Sequence, residues 1–323
     1  MSAHQELTLT IIRAARRRIA AHVHETPVLT SATLDAAAGA SLFFKCENMQ
    51  KAGAFKARGA TNAVFELSAA EAARGVLTHS SGNHAAALAR AASLRQIPAH
   101  IVMPRTAPQA KQESVRRFGG QIVLCEATQA AREAAAAELQ ERTGAVMVHP
   151  YNDWRVMAGQ GTTALEFLEQ VPDLDAIVCP IGGGGHLAGI AVAAKAINPK
   201  MLVVGAEPAG ADDAALSFKA GRIIPSAEPR SIADGLLATV GALPFACITR
   251  LVDDILVVPD SLIVESMRRL WEVLKVIVEP SGAVGYAVVA QLARLRPRQR
   301  IGVVLTGGNL DLNLLPWQQK PRG

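Results

Sequence analysis

Aromatic residues make up only 4% of this 323-residue chain, and its four cysteines include no Cys-x-x-Cys pair. The aromatic shortage removes the stacking platforms that a single-stranded nucleic-acid binder needs. Cys46, Cys125, Cys179 and Cys247 lie far apart, three of them in apolar strand-like runs, so buried reduced thiols are expected rather than a metal knuckle or a disulfide framework. No apolar run approaches the roughly 20 residues of a membrane span, and the N-terminus lacks the apolar core of a cleavable leader. No long Ser, Gln or Pro tract dilutes the apolar content. These absences leave a cytosolic globular protein with no membrane and no nucleic-acid partner.

Charged residues are 19% of the chain, with a net charge of +5, and the excess is scattered except at Arg16-Arg17-Arg18. Around that cluster Ile11, Ile12, Ala15 and Ile19 repeat at helical spacing, so the arginines are read as a solvated helix face. Half of the residues are hydrophobic, enough for one large or two ordinary cores.

Short β-branched runs alternate with Ala-rich helical stretches. The predicted strands are Gly75 to Thr78, Ala99 to Met103, Gln121 to Cys125, Ala176 to Cys179, Leu202 to Ala206 and Arg300 to Thr306. Helices are predicted over Asn83 to Ser93, Gln109 to Phe118, Ala130 to Thr143 and Leu187 to Ile197. The pattern is that of an α/β protein with helices around mainly parallel sheets. Polar, glycine-bearing loops begin at His79, Ile181 and Thr306, each after a strand, where a parallel sheet presents its ligand crevice. A cleft between two sheets accommodates all three.

Four segments carry chemistry. Gly182-Gly183-Gly184-Gly185, followed by His186 and a helix, lets successive N–H groups face one anion; the favoured reading is a phosphate site, and a tight structural turn is the alternative. Lys56, within Gly53-Ala54-Phe55-Lys56-Ala57-Arg58-Gly59, is either a surface lysine or a cofactor lysine whose pKa is lowered by desolvation and the nearby Arg58. Ser80-Ser81-Gly82-Asn83-His84 holds more hydrogen-bonding groups than one helix cap requires, so it is read as a carboxylate grip. Thr306-Gly307-Gly308-Asn309 closes the last strand, and its single hydroxyl proves little alone.

In this order, the four segments resemble the fold-type II pyridoxal-phosphate (PLP) family of serine and threonine dehydratases, serine racemases and 3-hydroxyaspartate dehydratases. The likeness extends over Leu42-Phe43-Phe44-Lys45-Cys46-Glu47-Asn48, Met103-Pro104-Arg105-Thr106-Ala107-Pro108, Ala158-Gly159-Gln160-Gly161-Thr162 and Val278-Glu279-Pro280-Ser281. It implies two open, twisted, mainly parallel sheets like those of the tryptophan synthase β-subunit, with PLP in the cleft. The large domain would comprise 1–52 and 152–323, and a small mobile domain 53–151. The resemblance also implies a homodimer.

Residue by residue, the resemblance makes Lys56 the Schiff-base lysine and proton carrier, and Gly182, Gly183, Gly184 and Gly185 the phosphate cup, with His186 beside it. Asn83 becomes the partner of the cofactor's ring hydroxyl, and Thr306 that of the ring nitrogen. Ser81 becomes an acid/base group on the opposite face, while Ser80, Ser81, Gly82, Asn83 and His84 hold the substrate carboxylate. Glu207, Ala211 and Asp213 match a divalent-cation site suited to Mg²⁺, with a solvated acidic turn as the alternative. Ala54, Thr306 and His186 depart from the commoner residues of the family, the first two in the manner of the hydroxyaspartate branch.

The activity so implied is loss of water and then ammonia from a small β-hydroxy-α-amino acid, giving a 2-oxo acid. A 3-hydroxyaspartate is the favoured substrate, ahead of threonine or serine and then a phenylserine. Arg132 and His186 are the candidate partners of its second carboxylate, against the alternatives of an exposed helix arginine and a capping histidine. Serine racemization and a non-catalytic phosphate binder are the competing readings.

Overall fold

The computed structural model describes residues 6–295 and 299–318. Ten strands form two sheets: β1 (Val28–Leu29), β2 (Ser41–Lys45), β3 (Val76–His79), β4 (Ala99–Pro104), β5 (Gln121–Cys125), β6 (Val146–Met147), β7 (Ala176–Pro180), β8 (Leu202–Pro208), β9 (Asp254–Val258) and β10 (Arg300–Val304). The larger sheet has the order β1-β2-β10-β7-β8-β9 and the smaller β5-β4-β3-β6. Every pairing is parallel except β1 with β2.

The central strands are apolar on both faces because helices cover both. All five residues of β7 are buried, which is why the stretch reads as a continuous hydrophobic run. Ile301 of β10 pairs with Leu42 on one side and Ala176 on the other, joining the two ends of the chain in one sheet. The smaller sheet lies wholly within 53–151, and no strand of the larger sheet does.

Small residues let the helices beneath the cleft approach closely. A Cβ on Gly159 would lie 2.6 Å from the Arg58 carbonyl oxygen, and one on Gly189 would lie 2.5 Å from that of Met157. Helix Trp154–Gln170 is thereby pressed between helices Lys56–Glu66 and Gly185–Ile197. Lys56 and the glycine run each open one of these two outer helices.

Two expectations from the sequence change. Helix Leu9–Ile19 buries Ile12, Ala15 and Ile19 as predicted, but Arg16 bonds Glu169 and Arg18 bonds Asn62, leaving only Arg17 of the cluster as an exposed residue. The sequence reading also leaves out β1, β2, β6 and β9: β1 and β6 are two residues long, and β2 and β9 each begin on an exposed polar residue. All four cysteines are free and buried. Among the described residues, no helix is long and apolar enough to cross a membrane.

Candidate active site

The lysine loop and the last loop of the chain are zipped together. Ala54 forms an antiparallel bridge with Gly307, the Phe55 N–H donates to the Thr306 carbonyl at 3.1 Å, and the Gly308 N–H donates to that of Gly53 at 3.0 Å. The Asn309 amide donates to the Ala52 carbonyl at 2.7 Å and to Asn83 Oδ1 at 2.9 Å, while Asn83 Nδ2 donates to Glu279 Oε1 at 2.8 Å. Glu279 is buried, and burial, followed by the charge of Asp234, pushes its carboxyl up to about 8. Sequence reasoning singled out Asn83 and Thr306 but gave Glu279 and Asn309 no role. Their only signals were a Glu-Pro step at a helix start and an Asn after paired glycines.

Lys56 opens helix Lys56–Glu66, and its Nζ donates to the Pro150 carbonyl oxygen at 2.8 Å. Burial without a carboxylate partner lowers this amine to about 8. The sequence reading looks to Arg58 for cationic influence on Lys56, and the structure corrects it. Arg58 is 1% exposed and spends its guanidinium on Glu47 and Glu166, so desolvation alone lowers the lysine.

The glycine run joins β7 to helix Gly185–Ile197, with Gly184 in the left-handed region at φ +86°. A Cβ at Gly183 would sit 2.3 Å from the Tyr151 ring, so the close approach excludes any larger residue. Tyr151 follows the carbonyl that binds Lys56, which places the amine and the glycine cup on one turn, His149 to Asp153. No hydrogen bond among the described residues uses the N–H of Gly182, Gly183 or Gly184. These donors, at the start of a helix, remain free for an anion.

A second free helix start lies opposite in sequence. Helix Asn83–Arg95 begins after Ser80, Ser81 and Gly82, and no side chain caps it. The capping alternative is therefore not what these residues do; the Ser80 hydroxyl accepts from the Gly82 N–H at 3.4 Å instead. His84 is buried with Nε2 3.1 Å from the Val148 carbonyl, and its Nδ1 has no partner. Burial, then the charge of Lys56, holds this imidazole neutral. His149 is likewise pushed down to about 4 and packs edge-on against His79 and Tyr151.

The two candidates for a second substrate carboxylate separate. Arg132 is half-buried in helix Gln129–Thr143, its Nε is buried without a partner, and its charge acts on His79 and Tyr151. His186 is buried, with Nε2 3.1 Å from Thr163 Oγ1 and Nδ1 3.6 Å from Cys179 Sγ. Both of its nitrogens are turned to the protein interior, and burial keeps the ring uncharged, so it does not supply a cation to the cleft.

Glu207, at the end of β8, accepts from the Ala214 and Ala215 N–H groups at 3.0 and 2.8 Å. Asp213 Oδ2 accepts from the Val240 N–H at 3.0 Å, and its Oδ1 is buried without a partner. Burial is the main cause that raises the two carboxyls, to about 8 and about 6. Ala211 is buried between them in sequence. Among the described residues no cluster of three or more His, Cys, Asp or Glu side chains could hold a metal, so any cation here would need the Ala211 carbonyl or water as well.

A buried amine without a carboxylate partner and a set of unclaimed N–H donors, both set against one turn, define an enzyme class. They fit an aldehyde cofactor bearing a phosphate. The chain belongs to the pyridoxal-phosphate dependent enzyme family, whose model matches residues 19–307. A serine racemase of Oryza sativa subsp. indica is 52% identical over 312 residues, 95% of this chain and 92% of the relative. The β-hydroxyaspartate dehydratase of Paracoccus denitrificans is 51% identical over 304 residues, covering 94% and 96%. The structure of maize serine racemase superposes with a TM-score of 0.94 at 50% identity, covering 96% of each chain.

Proposed function

We propose that the protein is a PLP-dependent lyase that dehydrates and deaminates a β-hydroxy-α-amino acid, with a 3-hydroxyaspartate as preferred substrate. The observation that carries the reading is the buried, carboxylate-free Lys56 amine, lowered to about 8 by desolvation, beside the free N–H groups of Gly182 to Gly184. Bound PLP draws electrons from the Cα of an attached amino acid and so acidifies its Cα–H bond. Gly182, Gly183, Gly184 and Gly185 would hold the phosphate, and Asn83 and Thr306 the ring. The substrate carboxylate binds at the uncapped start of helix Asn83–Arg95, where Ser80 to His84 offer donors. In its deprotonated form, which desolvation brings within easier reach, Lys56 takes the Cα proton at Nζ. The β-hydroxyl departs with a proton as water, and hydrolysis of the resulting imine yields a 2-oxo acid and ammonia.

Support for the substrate comes from the 51% identity to the Paracoccus dehydratase and from Arg132, whose buried Nε lacks an acceptor. A carboxylate at the β-position would satisfy it. Glu207, Asp213 and the Ala211 carbonyl are proposed to bind Mg²⁺, with the unpartnered Asp213 Oδ1 in support. We further propose that 53–151 moves as a small domain against 1–52 and 152–323, and that the active form is a homodimer.

Serine racemization is the second reading, favoured by the names of the rice and maize relatives and by Ser81 at the same loop. A panel of β-hydroxy amino acids, scored for 2-oxo acid release, tests the proposal. Release fastest from a 3-hydroxyaspartate supports it, and faster release from threonine or phenylserine refutes the substrate assignment.

A further inference from the structure

His186 has no part in the chemistry above, yet it occupies a junction. Its ring stacks on Phe55 with centroids 3.9 Å apart and planes 5° from parallel. Phe55 is the residue before Lys56, and the Lys56 Nζ lies 5.1 Å from the centroid of that same ring. The other side of the imidazole is anchored on both nitrogens, to Thr163 of helix Trp154–Gln170 and to Cys179 of β7. Thr163 and Cys179 are each fully buried, so neither anchor has water as an alternative. His186 is also the second residue of the helix that the glycine run opens.

We infer that His186 is a positioning residue: by stacking on Phe55 while bonded to Thr163 and Cys179, it fixes the Lys56 amine relative to the glycine cup. A leucine of similar bulk would fill the space but hold Phe55 by dispersion alone, with neither anchor. The ring is neutral, so one nitrogen donates and the other accepts. Burial and the charges of Arg58 and Lys56, the cations that act on it, keep it so. A side chain whose supporting contacts are loosened keeps its chemistry but loses its placement.

The inference rests on Lys56 being the reactive amine, so its test reads Lys56 in two ways. In the cofactor-free protein, the rate at which an amine-reactive reagent modifies Lys56 is measured by peptide mass spectrometry. In the holoenzyme, kcat and KM are measured for the best substrate. H186L is expected to raise the labelling rate several-fold and to lower kcat about 10- to 100-fold with little change in KM. F55L should do the same, and the H186L/F55L double variant should lose no more than either alone, because the two act as one unit. H186Q, which keeps a hydrogen bond to Thr163, should recover part of kcat. If H186L does not fold, T163V removes one anchor only and should shift both readouts the same way. Unchanged labelling and kcat in H186L, or in T163V, would reduce His186 to a core residue and overturn the inference. Additive losses in the double variant would do so as well. If Lys56 proves not to be the reactive amine, kcat becomes uninformative about placement while the labelling rates still decide the inference.

Discussion

Glu47→Gln should destabilise the protein far more than removal of any surface ion pair. At the Lys56 helix, Arg58 is shared by Glu47 and Glu166, and Lys45 pairs with Glu166, all of them buried. Glu47 is fully buried and accepts from Arg58 Nε at 2.8 Å, Arg58 Nη2 at 2.7 Å and Thr26 Oγ1 at 2.6 Å. Glu166 accepts from Lys45 Nζ at 2.5 Å and from Arg58 at 2.8 and 3.0 Å. Two cations against two anions make a neutral set; with a neutral amide in place of the Glu47 carboxylate, the set retains one uncompensated positive charge in a buried site. Removing one member of such a pair costs about 3–5 kcal/mol, a large share of a typical total stability of roughly 5–15 kcal/mol. Arg16→Gln at the exposed pair with Glu169 serves as the comparison and should cost under about 1 kcal/mol. Urea unfolding of both holoenzymes, followed by circular dichroism and fluorescence, provides the measurement where the two signals coincide. The pH dependence has a definite sign. Both glutamates are held below their ordinary value of 4.5, Glu47 by Arg58's charge and Glu166 by its Arg58 hydrogen bonds, each against the cost of burial. Their stabilisation is complete above that value and lost as the pH falls through their lower folded values. The Glu47→Gln variant should therefore show a flatter acid limb in its stability curve. A loss below about 1 kcal/mol for Glu47→Gln, equal to that of Arg16→Gln, would refute the reasoning.

Lys56→Ala should abolish both the visible absorbance of lysine-bound cofactor and nearly all elimination; near wild-type turnover would remove Lys56 from its role. In cofactor-free protein, modification of Lys56 by an amine-reactive reagent should accelerate as the pH rises through about 8, since burial depresses the amine to that value; a midpoint near the ordinary 10.5 would contradict its desolvated setting. Mg²⁺ at a hundred times its Kd should stabilise the folded protein by about 2.7 kcal/mol, read as a rise in Tm that Asp213→Asn reduces. A melting curve indifferent to chelator and Mg²⁺ would exclude that site. Arg132→Gln should weaken kcat/KM for a 3-hydroxyaspartate by about 2–3 kcal/mol while sparing threonine, and equal losses on both would dismiss Arg132.

The strands easiest to read are the doubly covered ones. β7 and β10 announce themselves because both of their faces are apolar. β1 and β6 are two residues long, and β2 and β9 begin on an exposed serine and an exposed aspartate, so a short pattern does not mark them as strands. The glycine run was legible as a place of close backbone approach, since a Cβ at any of Gly182 to Gly185 would come within 3.0 Å of a neighbour. Arg58 illustrates what local sequence cannot supply. Proximity to Lys56 suggests an electrostatic role, whereas its partners Glu47 and Glu166 come from β2's end and a distant helix. His186 likewise looks like a cleft residue beside the glycines, and only the packing of Phe55, Thr163 and Cys179 turns it inward.

Dehydration and racemization are the two readings of this one site, so the most direct test sets them against each other in one vessel. Purified holoenzyme is incubated with single enantiomers of serine and with the stereoisomers of 3-hydroxyaspartate, while chiral chromatography follows enantiomer exchange and a coupled assay follows 2-oxo acid and ammonia. The account predicts that oxo acid and ammonia appear in equal amounts, fastest from a 3-hydroxyaspartate, and outpace any exchange of serine enantiomers. Serine exchange faster than oxo-acid release from every substrate would contradict it.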